Sequence, residues 1–149
     1  AGGDLLSRVR AECEHASEDG TLRPARLRTA DDGLVSGEAT QRGDRITWAG
    51  DDDERWAAVR ALAATIDELV CALRESCGGR VATIGSRMRP MVARYGVGAG
   101  FARHADNHCL GGRGAHCDGR VLTAVYYMSS DDWDGAADGG CLRVYRPAA

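Results

Sequence analysis

Arg89-Pro-Met-Val-Ala-Arg-Tyr-Gly-Val-Gly-Ala-Gly-Phe-Ala-Arg-His-Ala-Asp-Asn107 is the stretch on which the fold reading turns. Met91, Ala93 and Tyr95 alternate with Val92 and Arg94; glycines 96, 98 and 100 break the run; Ala102, His104 and Asp106 resume the spacing of two. The pattern predicts two short strands joined by a glycine hairpin turn. Side chains at i and i+2 of a strand point to one face, so the His104 imidazole and the Asp106 carboxylate should converge. Such a pair is two-thirds of the two-histidine, one-carboxylate facial triad that holds a non-haem Fe(II) and leaves coordination positions open. A bare His-x-Asp also occurs as a buried histidine bonded to a neighbour. Its place at a strand end, after a glycine turn and near tyrosines, favours the metal reading.

A second histidine must come from elsewhere. His108 continues the alternation, but four residues along a strand cover roughly 13 Å, whereas ligands sit about 2 Å from their metal. His108 could serve only if the chain turns sharply at Asn107, and His116 only if the loop returns. No further candidate precedes Ala149.

Working outward, a period of two persists toward the C-terminus. Val121, Thr123, Val125 and Tyr127 alternate with Leu122, Ala124, Tyr126 and Met128, and Leu142 and Val144 alternate with Cys141, Arg143 and Tyr145. Short strands with Gly-rich connections predict an antiparallel sandwich or barrel. Upstream the period is helical. Leu5, Leu6, Val9 and Cys13 mark a helix over 4–15, and Trp56, Val59, Leu62, Ile66, Leu69, Val70 and Leu73 form one stripe of a helix over 51–75. Asp51, Asp52, Asp53 and Glu54 suit the positive end of that helix better than they suit a cation site, and Gly78-Gly79 stops it. Between the helices, polar sequence to about Gly43 is long for a loop and is expected to line something. Arg42–Trp48 reads as a short ordered segment whose Arg-Gly-Asp is coincidental. Helices first and strands after give an α+β class with helices against one side of a sheet.

With 149 residues the chain suits one domain. No apolar run approaches the ~20 residues of a membrane span, and Ala1-Gly-Gly-Asp4 does not read as a signal peptide. Net charge is −3 and every one of the 19 basic residues is Arg. The balance argues against nucleic-acid affinity, and Arg suits carboxylate ligands. Residues 79–120 hold seven Arg against Asp106 and Asp118 alone, so an anionic ligand is favoured there. Six cysteines form no CxxC pair. Cys71 and Cys141 sit in helix and strand patterns as small hydrophobes do, which favours reduced thiols and a cytoplasmic or nuclear protein.

Several motifs have blander readings. His108-Cys109 and His116-Cys117 could form a zinc site or, through the cysteines, a disulfide. The spacing matches no common zinc module, so a solvent-exposed insertion is preferred. Gly96-x-Gly98-x-Gly100 lacks the following helix of a dinucleotide fingerprint. Asp131-Asp-Trp-Asp-Gly135 lacks the alternating acids of a calcium loop and reads as a turn.

Arg42-Gly-Asp-Arg-Ile-Thr-Trp48, Met91-Val-Ala-Arg-Tyr95, Arg103-His-Ala-Asp-Asn107, Asp118-Gly-Arg120, Tyr126-Tyr127 and Gly139-Gly-Cys-Leu-Arg143 follow one another in order. From about Leu5 to Pro147 the chain resembles the prolyl 4-hydroxylase branch of the Fe(II)/2-oxoglutarate dioxygenases, closest to the hydroxylases of hypoxia-inducible factor. The resemblance implies a single domain over 1–149 with a double-stranded β-helix (jelly roll): supporting helices over about 1–78, jelly-roll strands over about 79–149. It implies that His104 and Asp106 are iron ligands and catalytic. Tyr95, Tyr127 and Leu142 would line the 2-oxoglutarate pocket with Met91 nearby, Arg120 would stand near the substrate entrance, and Asp44 and Trp48 would shape the site. The implied cofactors are Fe(II), the cosubstrates 2-oxoglutarate and O₂, and L-ascorbate as reductant; the implied partner is a proline-containing protein or peptide.

The chain departs from the family in three respects. Phe101 stands where close relatives have Tyr, and the 108–117 loop is longer. The family's second iron histidine and the Arg for the far carboxylate of 2-oxoglutarate would fall beyond Ala149, with roughly half the jelly roll. The expectation is that this chain alone binds iron poorly and lacks turnover. A non-catalytic binding or regulatory module, or the same chemistry on a non-prolyl substrate, are the alternative readings.

Overall fold

Trp56, Leu22 and Asp44 are the largest side chains sealed from solvent, and they mark where helices, loop and sheet meet. The computed structural model describes residues 2–28, 34–36, 42–104, 106 and 119–145. Helix α1 spans Gly2–Glu18 and helix α2 spans Ala57–Ser76, with a 3-10 turn at Glu54–Trp56 leading into α2 and another at Val81–Thr83. Val9, Cys13 and Ala16 of α1 are buried with Leu5 beside them, while Leu6 faces outward. Asp53 caps the 3-10 turn by accepting the Arg55 backbone N–H at 3.0 Å. This is the helix-entry role expected of the acidic run. The two helices are tied by Glu12, whose carboxylate oxygens accept from the N–H groups of Ala58 (2.7 Å) and Val59 (2.9 Å). These are donors that the first turn of α2 cannot satisfy internally.

The stripe of α2 is buried only at its N-terminal end. Trp56 and Val59 lie in the core and Leu62 at its edge, whereas Leu69 and Leu73 are 62% and 43% exposed. Among the described residues Ala63 is the last buried position of the helix. Cys13 alone of the described cysteines is buried; Cys71, Cys77 and Cys141 are exposed, and all four are free thiols. Cys71 lies in helix α2 as its pattern predicts, whereas Cys141 lies in no strand, and neither is packed as a small hydrophobe.

The stretch between the helices is not one loop. It contains strands β1 (Arg23–Pro24), β2 (Arg26–Arg28) and β3 (Leu34–Ser36), followed by β4 (Asp44–Trp48). With β5 (Met91–Tyr95), β4 is the centre of an antiparallel three-stranded sheet of order β1-β4-β5, and β2 pairs β3 separately. Val92 of β5 joins Trp56 and Ala58 in the core, so the helices cover one face of this sheet as expected.

Two expectations are overturned. The glycine segment is not a hairpin. Tyr95 pairs with Asp44 and Phe101 with Arg42, so two steps along one line match six along the other, and both flanks of the turn face the same neighbour. Residues 96–100 bulge outward through a turn in which the Ala99 N–H donates to Gly96 O (3.0 Å). Gly98 takes φ 73° there, the left-handed region that position requires. Second, residues 102–104 and 106, 121–128 and 141–145 are not strands. Alternation states which side chains a strand would present, but a strand exists only where a neighbour takes up its N–H and C=O groups. Among the described residues these segments have no such ladder. Apart from the half-buried Val121 and Met128, both alternating sets of 121–128 and 141–145 stay exposed, with Val125 at 60% and Val144 at 82%. The segment from Arg120 to Ser130 is instead held at points: Met128 packs on the core, and Arg10 donates to Ser129 O at 2.9 Å.

Candidate active site

The register of β4 and β5 pairs Asp44 with Tyr95, Ile46 with Ala93 and Trp48 with Met91. Period two puts these six side chains on one face. Val92, Arg45 and Arg94 take the other face, where Arg45 reaches Leu22 O (2.9 Å) and Arg94 the Ser17 hydroxyl. Four residues singled out in the sequence thus share the face turned away from the helices. Trp48, Met91 and Tyr95 are exposed on it; Asp44 is sealed within it.

Asp44 accepts a bidentate grip from Arg42: Nε donates to Oδ1 at 2.7 Å and Nη2 to Oδ2 at 3.0 Å. A buried carboxylate needs such a partner. Burial, together with the adjacent Asp44 carboxylate, raises the Tyr95 phenol above its ordinary range, and Tyr127 stands near enough to push the same way. Asp44 therefore has no free surface for a ligand; it fixes Arg42 and Tyr95.

Past the glycine bulge, Phe101 returns beside Arg42, with Gly43 N–H donating to Gly100 O at 3.0 Å. The chain then bends at Arg103 and Asp106. An extended strand sets residues i and i+2 about 6.6 Å apart; the bends draw the two side chains closer, and His104 Nε2 lies 3.2 Å from Asp106 Oδ1. The expected convergence is present, although a bent segment and not a strand produces it. His104 Nδ1 is 2.7 Å from Ala102 O. A carbonyl can only accept, so Nδ1 carries a proton, and in neutral imidazole the Nε2 lone pair then faces the carboxylate. A proton on Nε2 bridges this 3.2 Å gap as an ion pair, and in the neutral ring a bound cation can take that proton's place. Two ligands about 2.1 Å from one metal at a right angle stand about 3 Å apart. A ligand histidine committing its other N–H to a carbonyl is the usual supporting arrangement. The donor pair fits a metal such as iron.

Asp106 is held from the other side. Thr123 Oγ1 donates to Oδ2 at 2.8 Å and Arg120 Nη1 lies 3.4 Å from the same oxygen. Partial burial opposes the charge, but the Thr123 hydrogen bond, Arg120 and His104 outweigh it and hold the carboxyl below its usual range. Arg120 thus stands at the Asp106 carboxylate, with Met88 Sδ at 3.9 Å on its other amino group. Tyr127 and Leu142 come together around an open hollow of about 210 Å³ that Trp133 and Cys141 also line.

Among the described residues no third His, Cys, Asp or Glu joins His104 and Asp106, and no other such cluster could hold a metal. His108, Cys109, His116 and Cys117, with the zinc, disulfide and local-ligand readings placed on them, lie outside the described residues, as does Asp118. The sequence reading missed Thr123 as a support and passed over Arg42. An acid two residues from an arginine on one strand could have signalled the Arg42–Asp44 pair; nothing in the sequence distinguishes Thr123.

Comparison with known proteins agrees with this geometry. Residues 90–149 match the model of the 2OG-Fe(II) oxygenase superfamily. Human prolyl hydroxylase EGLN3 is 35% identical over 148 residues, covering 97% of this chain and 54% of that protein. Human Egl nine homolog 1 is 35% identical over 107 residues, 70% of this chain and 22% of that protein. The hypoxia-inducible factor prolyl hydroxylase of Caenorhabditis elegans is 32% identical over 148 residues, 97% of this chain and 19% of that protein. The chain spans about half the length of human EGLN3 and less of the other two. With the His104–Asp106 pair inside the matched residues, residues 90–149 form a 2OG-Fe(II) oxygenase superfamily region, and the chain is similar to the hypoxia-inducible factor prolyl hydroxylases.

Proposed function

We propose that the chain is part of an Fe(II)- and 2-oxoglutarate-dependent dioxygenase that hydroxylates prolyl residues of a protein or peptide. The observation that carries this is the His104–Asp106 pair, 3.2 Å apart with Nδ1 committed to a carbonyl. The family uses Fe(II), 2-oxoglutarate and O₂, and ascorbate is typical of its prolyl hydroxylases. When bound, iron and 2-oxoglutarate supply an O₂-dependent hydroxylation coupled to decarboxylation to succinate and CO₂.

The chain's own residues divide the remaining work. His104 and Asp106 hold the metal. Thr123 and Arg120 keep Asp106 ionised and its free oxygen occupied. Tyr95 and Tyr127, with Met91 and Leu142, offer exposed aromatic and apolar surface for 2-oxoglutarate, and Trp48 and Arg120 border the substrate's approach. Asp44 shapes the site through Arg42 and Tyr95. The third metal ligand, and a cation for the far carboxylate of 2-oxoglutarate, would come from outside the described residues.

The helices and the sheet belong, on this reading, to one domain whose helix-free face is the jelly-roll face. Among the described residues no helix is long and apolar enough to cross a membrane. The free thiols at Cys13, Cys71, Cys77 and Cys141 support a reducing compartment, the cytoplasm or nucleus.

A second reading is a binding or regulatory module without turnover. What favours it is that only two donors meet at the site among the described residues. The test is succinate release by the full chain with Fe(II), ascorbate, 2-oxoglutarate and a prolyl peptide, beside His104→Ala. Peptide-stimulated succinate that disappears in the variant supports prolyl hydroxylation. Turnover without peptide stimulation points to another substrate. Peptide binding without succinate supports the module, and succinate undiminished in His104→Ala removes the assignment.

A further inference from the structure

A stack of three planar groups runs from the buried carboxylate of Asp44 to the imidazole of His104. The Arg42 guanidinium, gripped by Asp44, lies with its central carbon 4.5 Å from the centroid of the Phe101 ring. The His104 ring lies parallel to Phe101, with centroids 3.6 Å apart and planes inclined by 17°. Two planar groups cannot share one ring face at these separations, so they take opposite faces of Phe101. We propose that Phe101, clamped by Arg42 and Asp44, is the positioning residue that fixes the plane of the His104 imidazole.

The need for such a device follows from the local backbone. His104 lies in a bent segment without ladder hydrogen bonds, and its side chain is 38% exposed. The Nδ1 hydrogen bond to Ala102 O and the 3.2 Å approach of Nε2 to Asp106 leave the ring able to swing about the line through these two contacts. A flat surface against one face removes the swing, so Nε2 stays aimed at the point it shares with Asp106. Phe101 can act in this way because its own position is anchored. It pairs with Arg42 across the sheet edge, and Arg42 is held at both ends of its fork by a carboxylate with no exposure to solvent. The glycine bulge has a role in this arrangement, since the extra residues it takes up bring Phe101 back opposite Arg42.

The inference rests on the proposed metal site, and its test separates the two. In the full chain, the ring protons of His104, assigned by comparison with His104→Gln, should resonate upfield because they lie over Phe101. Phe101→Leu keeps apolar bulk and removes the aromatic face; Phe101→Tyr keeps both. The expected result is that Phe101→Leu loses the upfield displacement and weakens Co(II) binding on the order of tenfold, while Phe101→Tyr retains both. Arg42→Met should lose part of each, because the clamp loosens while the ring remains. A Phe101→Leu protein with unchanged ring signals, or with changed signals and unchanged Co(II) affinity, overturns the positioning role. If wild-type and His104→Gln proteins bind Co(II) equally, the metal-site reading fails, while the ring signals still decide whether Phe101 fixes the imidazole.

Discussion

His104 Nε2 and Asp106 Oδ1 stand 3.2 Å apart, although the residues that carry them belong to no strand. The separation is that of two neighbouring ligands on one metal, and the Ala102 carbonyl fixes which imidazole nitrogen is offered. His104→Ala and Asp106→Ala are expected each to reduce Fe(II) or Co(II) binding below detection by calorimetric titration. Folding should be intact by circular dichroism, because both side chains are partly exposed and neither belongs to the core cluster.

Thr123 makes its hydroxyl contact with the oxygen of Asp106 that does not face His104. Thr123→Val keeps the shape and removes the donor. Metal affinity should fall about tenfold, the usual effect of losing an outer hydrogen bond to a ligand, and Thr123→Ser should restore it. Equal affinity for the wild-type and Val proteins would show that Arg120 alone suffices.

The Arg42–Asp44 pair should be costly to break from one side. Arg42→Ala strands a buried carboxylate and is expected to lower stability by about 3 kcal/mol in urea unfolding. Arg42→Ala combined with Asp44→Asn should recover a substantial part of that loss, because the uncompensated charge is gone. Strict additivity of the two single changes would contradict the coupling.

Glu12 closes the N-terminus of α2 with two hydrogen bonds from a neighbouring helix. Glu12→Ala exposes two donors of that turn and should cost about 2 kcal/mol. Glu12→Gln, which keeps an acceptor without the charge, should cost less.

Cys13 gives the stability a pH signature. Burial first, then the Glu12 and Glu14 carboxylates, push its thiol from 9.0 up to about 11. The folded state therefore keeps a proton that the unfolded chain has already released. The contribution is complete below pH 9 and declines as pH rises toward 11. Unfolding midpoints measured across that window should fall, and Cys13→Ala should flatten the part of the slope that this thiol contributes. Thiol-specific alkylation at neutral pH should reach Cys71, Cys77 and Cys141 before Cys13.

Both long helices could be read from the sequence, because a stripe such as Val9 and Cys13, or Trp56 and Val59, reports one face through chain-local periodicity alone. The run Met91–Tyr95 could be read for the same reason: its alternation separates Val92, which is buried, from Met91 and Tyr95, which are not. The pairing of His104 with Asp106 was also visible, since residues two apart stay close in a strand or in a bend. Reading which segments become strands is a different problem. Residues 121–128 alternate as cleanly as 91–95, yet only the latter finds a ladder partner among the described residues, and hydrogen-bond partners are not encoded in a segment's own periodicity.

What the sequence determined by itself was whatever depends on near neighbours along the chain: helical faces, the glycine-directed turn, and an imidazole and a carboxylate within reach of one metal. What only the tertiary structure decided depends on residues far apart in sequence. Arg42 meets Phe101 across the bulge, Thr123 reaches Asp106, and Glu12 caps the helix that begins at Ala57. The physical reason is that each of these contacts exists only after the sheet register and the packing of α1 on α2 have brought the two segments together.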